Sequence, residues 1–469
     1  MKKLLITATL LILLFLKPLF AGVAKGIDVR EVQTLLTLMC FNPGPIDGAW
    51  GNKTEKAVEE FFTKYTLKYD GTFDDYELYH LQAFSRSSGQ HVMGIKIERC
   101  PVTMSEKMAS KNQKVLQKKL ESSLKSKLKK RNTINPFLAW NSGKPINKYG
   151  LAWTANVGRS NKTITLNEVY WNYHYVGKSW SYYPGIEEFL TNRNWDHDAE
   201  YGKTLATKIT DEKFQDFIVE VIKSKVSTSQ SNGVILDWWH NSHGSSSGYS
   251  KHQVGIARNS IAKKLREALG PSGIILGNVN WRKDKKTVKY INGVFLELYK
   301  KPYNQSGKRL YNSGELREIE NLLFYYEKNL QFPKLIALDG WRKTTANTTK
   351  DRNTPENRKM AKLLTAMSVT IPTNGYILYG DNNPDTPSGD HNHNYYDFYS
   401  FDIGKPTGGY EKLANGVGIK QHQKGFIAYN RNSRPHTLKL DNNVNLVIEG
   451  TSGLFCKKKG SGYDCLPPD

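Results

Sequence analysis

The sequence predicts a multidomain protein in which a small all-α three-helix module precedes a (β/α)8 barrel and a small antiparallel β domain. Three observations predict this order. Helical stripes of apolar residues occur in residues 25–100, five short apolar runs in the second half each end at a polar or acidic residue, and residues 413–469 alternate in polarity between turns. Buried parallel strands and half-buried antiparallel strands produce the last two patterns. A chain of 469 residues is long enough for two to four domains.

Residues 1–24 are expected to form a signal peptide. Two lysines near the start precede an apolar stretch at 4–16, and Ala21 or Ala24 can provide the cleavage position. The apolar stretch is shorter than a typical transmembrane helix, so no stable membrane span is expected after cleavage. The protein is therefore expected to be exported, to the periplasm, the cell envelope or the extracellular space.

The cysteines and the net charge agree with that compartment. The four cysteines pair most economically as Cys40 with Cys100 and Cys456 with Cys465, one of three possible connectivities. The formal net charge is +23, or +20 once the three lysines of the signal peptide are removed (23 − 3). A basic surface favours anionic partners such as cell-wall polymers or acidic polysaccharides. No nucleic-acid-binding module is recognisable, so nucleic acid is not expected as a partner.

Residues 25–100 are expected to be the helical module. Two amphipathic patterns flank a turn-rich loop at 42–51, and a third follows Asp70-Gly71. The residues that carry a family resemblance are Val32, Gln33, Leu36, 44–48, Trp50, Gly51, Thr54, Ala57, Val58, Phe61 and Phe62. In their order and spacing they resemble the peptidoglycan-binding domain of the first type, a three-helix module. The resemblance implies peptidoglycan as a partner.

Residues 101–133 are expected to be a basic helical linker. The segment is rich in lysine and carries leucine with a period of four, at Leu116, Leu120, Leu124 and Leu128. Its lysines can contact an anionic wall or membrane surface, or they can simply form the water-exposed face of a connecting helix.

Residues 134–412 are expected to form the barrel, and residues 413–469 the small β-rich C-terminal domain. Helical patterns alternate with the apolar runs, as a parallel barrel requires. Early strands are expected at 137–140, 151–157 and 168–175, and later strands at 233–239, 274–281, 293–299, 335–341 and 375–381. Helices are expected at 213–225, 254–269, 315–329 and 355–367.

The polar strand ends are the candidate site, because enzymes built on a β/α barrel act at the mouth formed by the carboxyl ends of the strands. Asp237 and Glu297 are the expected catalytic pair, since two facing carboxylates are what glycoside hydrolysis requires. The expected substrate-binding residues are Trp238, Trp239, His240, Asn278, Asn280, Tyr299, Asp339, Trp341 and Asp381.

A second resemblance concerns residues 189–430. The runs 233–239, 402–406 and 425–430 are similar to hypothetical glycosyl hydrolase families of the β/α-barrel type, which are distant relatives of polygalactosaminidase-like enzymes. In related barrels the nucleophile ends the fourth strand and the acid/base ends the sixth. If 233–239 is the fourth strand, the resemblance implies Asp237 as nucleophile and Glu297 as acid/base. The expected function is an exported glycoside hydrolase that acts on a cell-wall or extracellular polysaccharide.

Two other functions remain open at this point. The barrel can be a non-catalytic carbohydrate-binding or peptidoglycan-binding scaffold. It can also be a metal-dependent polysaccharide deacetylase, since His240, His243 and residues 390–393 include ligands that zinc accepts. No His-Glu-x-x-His sequence occurs, and neither a metal nor another cofactor is expected. A monomer is expected.

Overall fold

The computed structural model describes residues 22–24, 26–86, 91–92, 95–96, 102–140, 146–155, 157–178, 181, 183–195, 202–242, 244–344, 349–380, 395–440 and 444–469. The chain divides into two compact units, Met1–Leu116 and Gln117–Asp469. Most of the expected signal peptide and Cys100, the expected partner of Cys40, lie outside the described residues. None of the helices in the described ranges has the length and apolar character needed to cross a bilayer.

The N-terminal unit contains the expected three-helix module. Its helices are α1 (Val29–Leu38), α2 (Asn52–Lys64) and α3 (Asp75–Arg86), and the short strands Gly22–Val23 and Thr72–Phe73 pair in parallel beside them. A further two-residue pair, His91–Val92 with Ile95–Lys96, follows α3. Apolar side chains of the three helices, among them Leu36, Phe61 and Leu81, share one buried core. The prediction of an all-α module is therefore confirmed.

The side chain of Gln33 on α1 fixes the loop before α2. Its Nε2 donates to Asp47 Oδ1 at 3.1 Å and to Thr54 Oγ1 at 3.2 Å, while its Oε1 accepts from the Gly48 backbone N–H at 3.0 Å. Gly48 has φ of +77°, which glycine adopts without strain. The glycine-rich loop is thus ordered by one buried amide.

Eight parallel strands form a barrel, as the sequence predicts. Their order in the sheet follows the chain, and a bridge between Pro136 and Ile377 closes the ring. The strands are β1 (Phe137–Leu138), β2 (Leu151–Thr154), β3 (Ile164–Val169), β4 (Gly233–Leu236), β5 (Ile274–Asn278), β6 (Gly293–Leu298), β7 (Leu335–Trp341) and β8 (Gly375–Gly380). Alternate residues of the strands face inward and share one apolar core. The run at 233–239 is accordingly the fourth strand.

The basic helix expected as a linker, α4 (Val102–Lys130), extends into the barrel unit. Leu120 and Leu124 are buried, and Leu124 belongs to the apolar core of the barrel. The Lys127 ammonium is also buried and donates to Asn232 Oδ1, just before β4. We therefore propose that residues 117–130 belong to the barrel domain and close its N-terminal end.

Four long helices cover the barrel, each bounded by a recognisable cap. They are α5 (Glu212–Ser229), α6 (Lys251–Leu269), α7 (Ser313–Asn329) and α8 (Pro355–Thr370). Ser250 with Gln253, and Asn312 with Glu315, form capping boxes at the starts of α6 and α7. The shorter helical turns are Ile146–Lys148, Ile186–Phe189, Gly244–Ser247, Tyr303–Lys308, Thr349–Asn353 and Asp397–Ser400.

An insertion between β3 and α5 differs from the sequence prediction. The strand expected at 168–175 is two separate strands, because β3 ends at Val169 and a new strand, Tyr173–Tyr175, leaves the barrel. That strand pairs with Thr204–Thr207, which in turn pairs with Leu190–Asn194. The aromatic run that suggested one continuous strand therefore belongs to a small antiparallel sheet above the barrel.

The C-terminal residues form an antiparallel sheet, as predicted. Its strands in order are β9 (Pro406–Ala414), β10 (Val417–His422), β11 (Gly425–Asn430), β14 (Ser452–Lys459) and β15 (Gly462–Cys465). The hairpin β12 (His436–Lys439) and β13 (Asn445–Ile448) lies between β11 and β14 in the chain. Cys456 and Cys465 form the expected disulfide. Because β9 crosses the boundary expected at 412–413, we propose that this domain begins near Pro406.

Replacing Gly375 by Ala at the start of β8 is expected to destabilise the barrel. A Cβ atom there would lie 1.7 Å from the Ser368 carbonyl oxygen of α8, so the strand or the helix must shift. Overpacking of this kind costs about 1–3 kcal/mol. Thermal unfolding should show a lower Tm for this variant. Gly158→Ala is the control, because a Cβ at Gly158 meets no atom within 4 Å; equal Tm values for the two variants would contradict the prediction.

Candidate active site

Five polar side chains form one layer at the carboxyl end of the barrel. Each lies two residues after an apolar residue of the barrel core, so strand alternation directs it inward. Four are carboxylates from β3, β6, β7 and the residue after β4, and the fifth is the amide of β5. They are Glu168, Asp237, Asn278, Glu297 and Asp339.

Asn278 joins the two expected catalytic residues. Its Nδ2 atom donates to Asp237 Oδ1 and to Glu297 Oε2, each at 2.9 Å. The two N–H bonds of an amide diverge by about 120°, so the two carboxylate oxygens are about 5 Å apart. The structure thus places Asp237 and Glu297 on opposite sides of one amide, at the ends of the fourth and sixth strands.

Asp237 is held by further contacts from the segment after β3. The Tyr173 hydroxyl donates to its Oδ2 at 3.0 Å, and the Trp171 indole N–H donates to its backbone oxygen at 2.8 Å. The residue is 7% exposed. Burial, with the charges of Glu168 and Asp237 nearby, raises the pKa of Tyr170 well above its usual value. Asp237 is therefore an oriented carboxylate with one side against aromatic rings.

An aromatic wall stands beside Asp237. Tyr170, Tyr173, Tyr175 and Trp195 pack as one buried cluster, and Trp238 lies against it. Tyr173 and Trp195 stack with ring centroids 5.0 Å apart. Trp238 itself is partly exposed and has φ of +49°, an uncommon value for a bulky residue. The sharp turn after β4 thus keeps an indole face beside the carboxylate.

Glu168 is a functional candidate that the sequence prediction did not include. It is 2% exposed, and its Oε1 accepts a hydrogen bond from the Trp140 indole N–H. The alternation Ile164, Leu166, Glu168 contains the signal that could have identified it, since the first two residues lie in the barrel core. Placing the third strand at 168–175 concealed that alternation.

Asp339 and the residues after β6 form the opposite side of the mouth. Asp339 is the register partner of Glu297 on the neighbouring strand and is completely buried. Tyr299 is partly exposed and lies 6.2 Å from the buried ring of Trp341. The mouth therefore has aromatic rings on both sides of its carboxylates.

Lys300 and Tyr311 tie the ends of β6 and β7 together. Lys300 Nζ donates to the carbonyl oxygens of Trp341 at 2.6 Å and Arg342 at 3.1 Å. Burial lowers the pKa of Lys300 to about 7. The Tyr311 hydroxyl donates to the Leu298 carbonyl and accepts from the Trp341 N–H at 2.7 Å. These contacts fix the separation of the strands that carry Glu297 and Asp339.

His240 and Asn280 follow β4 and β5 and contact each other. Asn280 Nδ2 is 3.3 Å from His240 Nε2, and His240 Nδ1 is 2.8 Å from Ser242 Oγ. Both residues are buried. Among the residues that the structure describes, no three His, Cys, Asp or Glu side chains are arranged so that they could hold a metal ion. His243, residues 390–393 and Asp381 lie outside those residues.

Trp239 is separated from the mouth. It is fully buried, its indole N–H donates to Thr287 Oγ1 at 2.8 Å, and the Arg258 guanidinium lies 4.9 Å from its ring. Arg258 in turn forms a buried ion pair with Asp284 at 2.6 Å. In our proposal Trp239 therefore supports the turn after β4 and does not contact substrate.

Comparison with known proteins identifies the N-terminal module. The family model described as "Putative peptidoglycan binding domain" matches residues 25–79. No curated protein is similar enough in sequence to count as a relative of the chain.

Solved structures to which the chain has a weak similarity include glycoside hydrolases. The glycoside hydrolase domain of PelA from Pseudomonas aeruginosa has a TM-score of 0.38 at 9% identity, covering 55% of this chain and 97% of that one. An α-amylase from Geobacillus thermoleovorans has a TM-score of 0.38 at 13% identity, covering 65% and 87%. Ega3 from Aspergillus fumigatus, in complex with galactosamine, has a TM-score of 0.31 at 9% identity, covering 48% and 86%. Because these TM-scores and identities are low, a function can be argued only from the site residues of this chain.

Proposed function

We propose that the protein is an exported, cell-wall-associated glycoside hydrolase that cleaves a polysaccharide with Asp237 and Glu297. The observation that carries the proposal is the Asn278 amide, which holds both carboxylates at 2.9 Å across the barrel mouth. A pair of carboxylates about 5–5.5 Å apart matches the retaining mechanism, whereas inverting enzymes need about 6.5–9.5 Å to admit a water molecule.

The roles follow from the surroundings of each residue. Asp237 is buried, oriented by Tyr173 and Asn278, and suited to attack the anomeric carbon. Glu297 is more exposed and can protonate the leaving oxygen, then activate water for the second step. Neighbouring carboxylates favour the protonated form of a general acid, since like charges oppose ionisation. Asp339 and Glu168 are proposed to bind substrate hydroxyl or amino groups.

The partly exposed rings of Trp238 and Tyr299 supply flat faces for a sugar ring, because aromatic side chains offer large apolar surfaces. The N-terminal module supports peptidoglycan, or a polymer associated with it, as the place where the enzyme acts. An amino-sugar polymer of the envelope is a second substrate that fits the acidic mouth.

The test is a reducing-sugar assay of the full chain across purified sacculi and a panel of polysaccharides. Activity on one of them, lost in the Asp237→Asn variant, would support the proposal. Binding to the same polymers without turnover in the wild type would instead favour a non-catalytic scaffold. Reducing-sugar release that a chelator abolishes would favour a metal-dependent hydrolase, and release of acetate that a chelator abolishes would favour a metal-dependent deacetylase.

Hydrolysis is expected to retain the anomeric configuration. The spacing of about 5 Å leaves room for direct attack by Asp237 and too little for an intervening water. Proton NMR of the first product, recorded before mutarotation, should show the same anomer as the substrate. An initial product of opposite configuration would exclude Asp237 as nucleophile while leaving hydrolysis itself intact.

A further inference from the structure

A groove of about 720 Å³ lies at the N-terminal end of the barrel, opposite the carboxylate mouth. It is bounded by the chain just before β1, by the residues between α8 and β8, and by strands β9 and β10 of the C-terminal sheet. Its volume is in the range of ligand sites in proteins. No residue of the candidate active site contributes to its lining.

Four cations line this basal groove. Arg131 precedes β1, Lys405 precedes β9, Lys420 lies on β10 and Lys424 follows it. Lys405 and Lys424 are exposed, and no ion pair of either is present in the described part of the chain. The groove therefore presents two exposed cations, and one of them, Lys424, lies near enough to Asp402 for its charge to help lower the pKa of that carboxyl.

The two acids of the groove are already bound by protein donors. Asp402 Oδ1 accepts from the Gly404 N–H at 3.0 Å and the Thr133 hydroxyl at 2.9 Å, and these bonds, with the charges of Lys424 and Lys457, lower the pKa of Asp402. Glu327 accepts from the backbone N–H of Thr373 at 3.0 Å and from its hydroxyl. Four cations and two acids leave a formal excess of two positive charges in the lining. One of the four cations, Lys420, is buried and donates to the carbonyls of Val369 and Pro372, so the charge open to a ligand lies on the other three.

The basal groove continues onto the exposed face of the basic helix α4. From residue 118 to residue 130 five lysines are exposed against a single acid, Glu121. Leu128 and Arg131, at the end of this helix, are themselves part of the groove lining. The exposed lysines are Lys118, Lys119, Lys125, Lys129 and Lys130. Positive charge thus forms a track that leads into the groove.

We infer that the basal groove and the lysine face of α4 bind a linear anionic polymer that carries phosphate or carboxylate groups. The track is longer than a small ligand needs, and spaced cations suit a repeating anion. A membrane is disfavoured, because the apolar face of the helix, with Leu120 and Leu124, is buried in the barrel and cannot insert. Single-stranded nucleic acid is disfavoured, because Tyr410 is the one aromatic residue in the described lining and unpaired bases need stacking platforms.

The inferred site differs in charge from the proposed active site. The mouth carries four carboxylates, which repel a polyanion, whereas the basal groove attracts one. The polymer at the base is therefore an attachment point and not the substrate. Attachment there would hold the barrel on an acidic wall matrix while the opposite end remains open for hydrolysis.

The test measures binding of the full chain to poly(glycerol phosphate) and to polygalacturonate by isothermal titration calorimetry. The Asp237→Asn variant serves as the background, so the result is independent of any hydrolysis. Affinity should fall as salt rises from about 50 to about 200 mM, as expected for a polyanion. Comparison of the two polymers distinguishes phosphate from carboxylate as the recognised group.

The variant pair Lys405→Gln and Lys424→Gln should weaken binding about tenfold. Lys285→Gln with Lys301→Gln is the matched control, since both lysines are exposed, follow β5 and β6, and lie toward the mouth. An equal loss in the control pair would show that net charge alone acts and would overturn the inference. Absence of binding to both polymers would also overturn it, as would binding only to phosphatidylglycerol vesicles or only to duplex DNA.

Discussion

Asp237→Asn and Glu297→Gln are each expected to reduce kcat by about 10²–10⁴-fold on the substrate identified by the polysaccharide panel. The asparagine at position 237 lacks the negative charge that Asp237 needs for attack. The glutamine at position 297 lacks the acidic proton that Glu297 must donate. Since both act on bonds to the same anomeric carbon, KM should change much less than kcat. The measurement is steady-state hydrolysis with the purified full-length protein.

The two variants should differ in a way that identifies each role. Glu297→Gln should lose most activity on substrates with poor leaving groups, which need the general acid. On substrates with good leaving groups azide should restore turnover, because it attacks the glycosyl-enzyme without a general base. For Asp237→Asn, azide should not restore formation of the product that retains the anomeric configuration. Identical behaviour of both variants would contradict the assignment of nucleophile and acid/base.

Folding should be preserved in both variants, so a loss of activity can be attributed to chemistry. In the Asp237→Asn variant the introduced amide oxygen can still accept from Asn278, and the Tyr173 hydroxyl can reverse to accept from the introduced NH₂ group. The matched control is Glu267→Gln on α6, an exposed residue whose ion pair with Lys263 spans 3.9 Å. Full activity of the control and unchanged circular dichroism of all three variants are expected.

The sequence was sufficient to predict the barrel because its later strands are short apolar runs with polar ends. The same runs predicted Asp237 and Glu297 as the catalytic pair, which stays a prediction, and the structure places the run at 233–239 as the fourth strand. The first three strands were harder to assign. β1 has two residues, and β3 is followed within four residues by a second strand that leaves the barrel.

Apart from Glu168, the site residues that the sequence did not reveal are supplied by tertiary contacts. Tyr173 reaches Asp237 from 64 positions away, through a small sheet that no local pattern predicts. Trp239 shows the reverse case. It is next to Trp238 in the chain and was expected in the cleft, yet the positive φ of Trp238 turns the chain and buries Trp239 against β5. Strand ends predict which residues reach the mouth, whereas turns after the strands must be observed.

The contact between the barrel and the C-terminal sheet could not be predicted either, since it depends on a buried ion pair. Glu320 on α7 accepts from Arg431 Nε at 2.7 Å and from the Tyr429 hydroxyl at 2.6 Å. Both charged side chains are less than 10% exposed. Lys420 also joins the two parts, donating to the carbonyls of Val369 and Pro372 at the end of α8. The C-terminal sheet is thus an integral part of the barrel unit.

Arg431→Met is expected to destabilise this unit by about 3–5 kcal/mol, because it leaves the Glu320 carboxylate buried without its cation. The double variant Glu320→Gln with Arg431→Met should recover most of that loss, since the neutral amide still accepts from Tyr429 and no buried charge remains. Urea unfolding followed by near-ultraviolet circular dichroism provides the measurement. Lys263→Met is the control, because its exposed pair with Glu267 contributes at most about 1 kcal/mol.

The double variant decides between two explanations of such a loss. If packing of the Arg431 side chain alone stabilised the sheet, the double variant would be at least as unstable as Arg431→Met. If the uncompensated charge is the cause, neutralising Glu320 restores stability even though the ion pair is gone. A buried ion pair of this kind then contributes little net stability compared with a neutral pair. It nevertheless opposes separation of the sheet from α7, because separation would leave each charge without its partner.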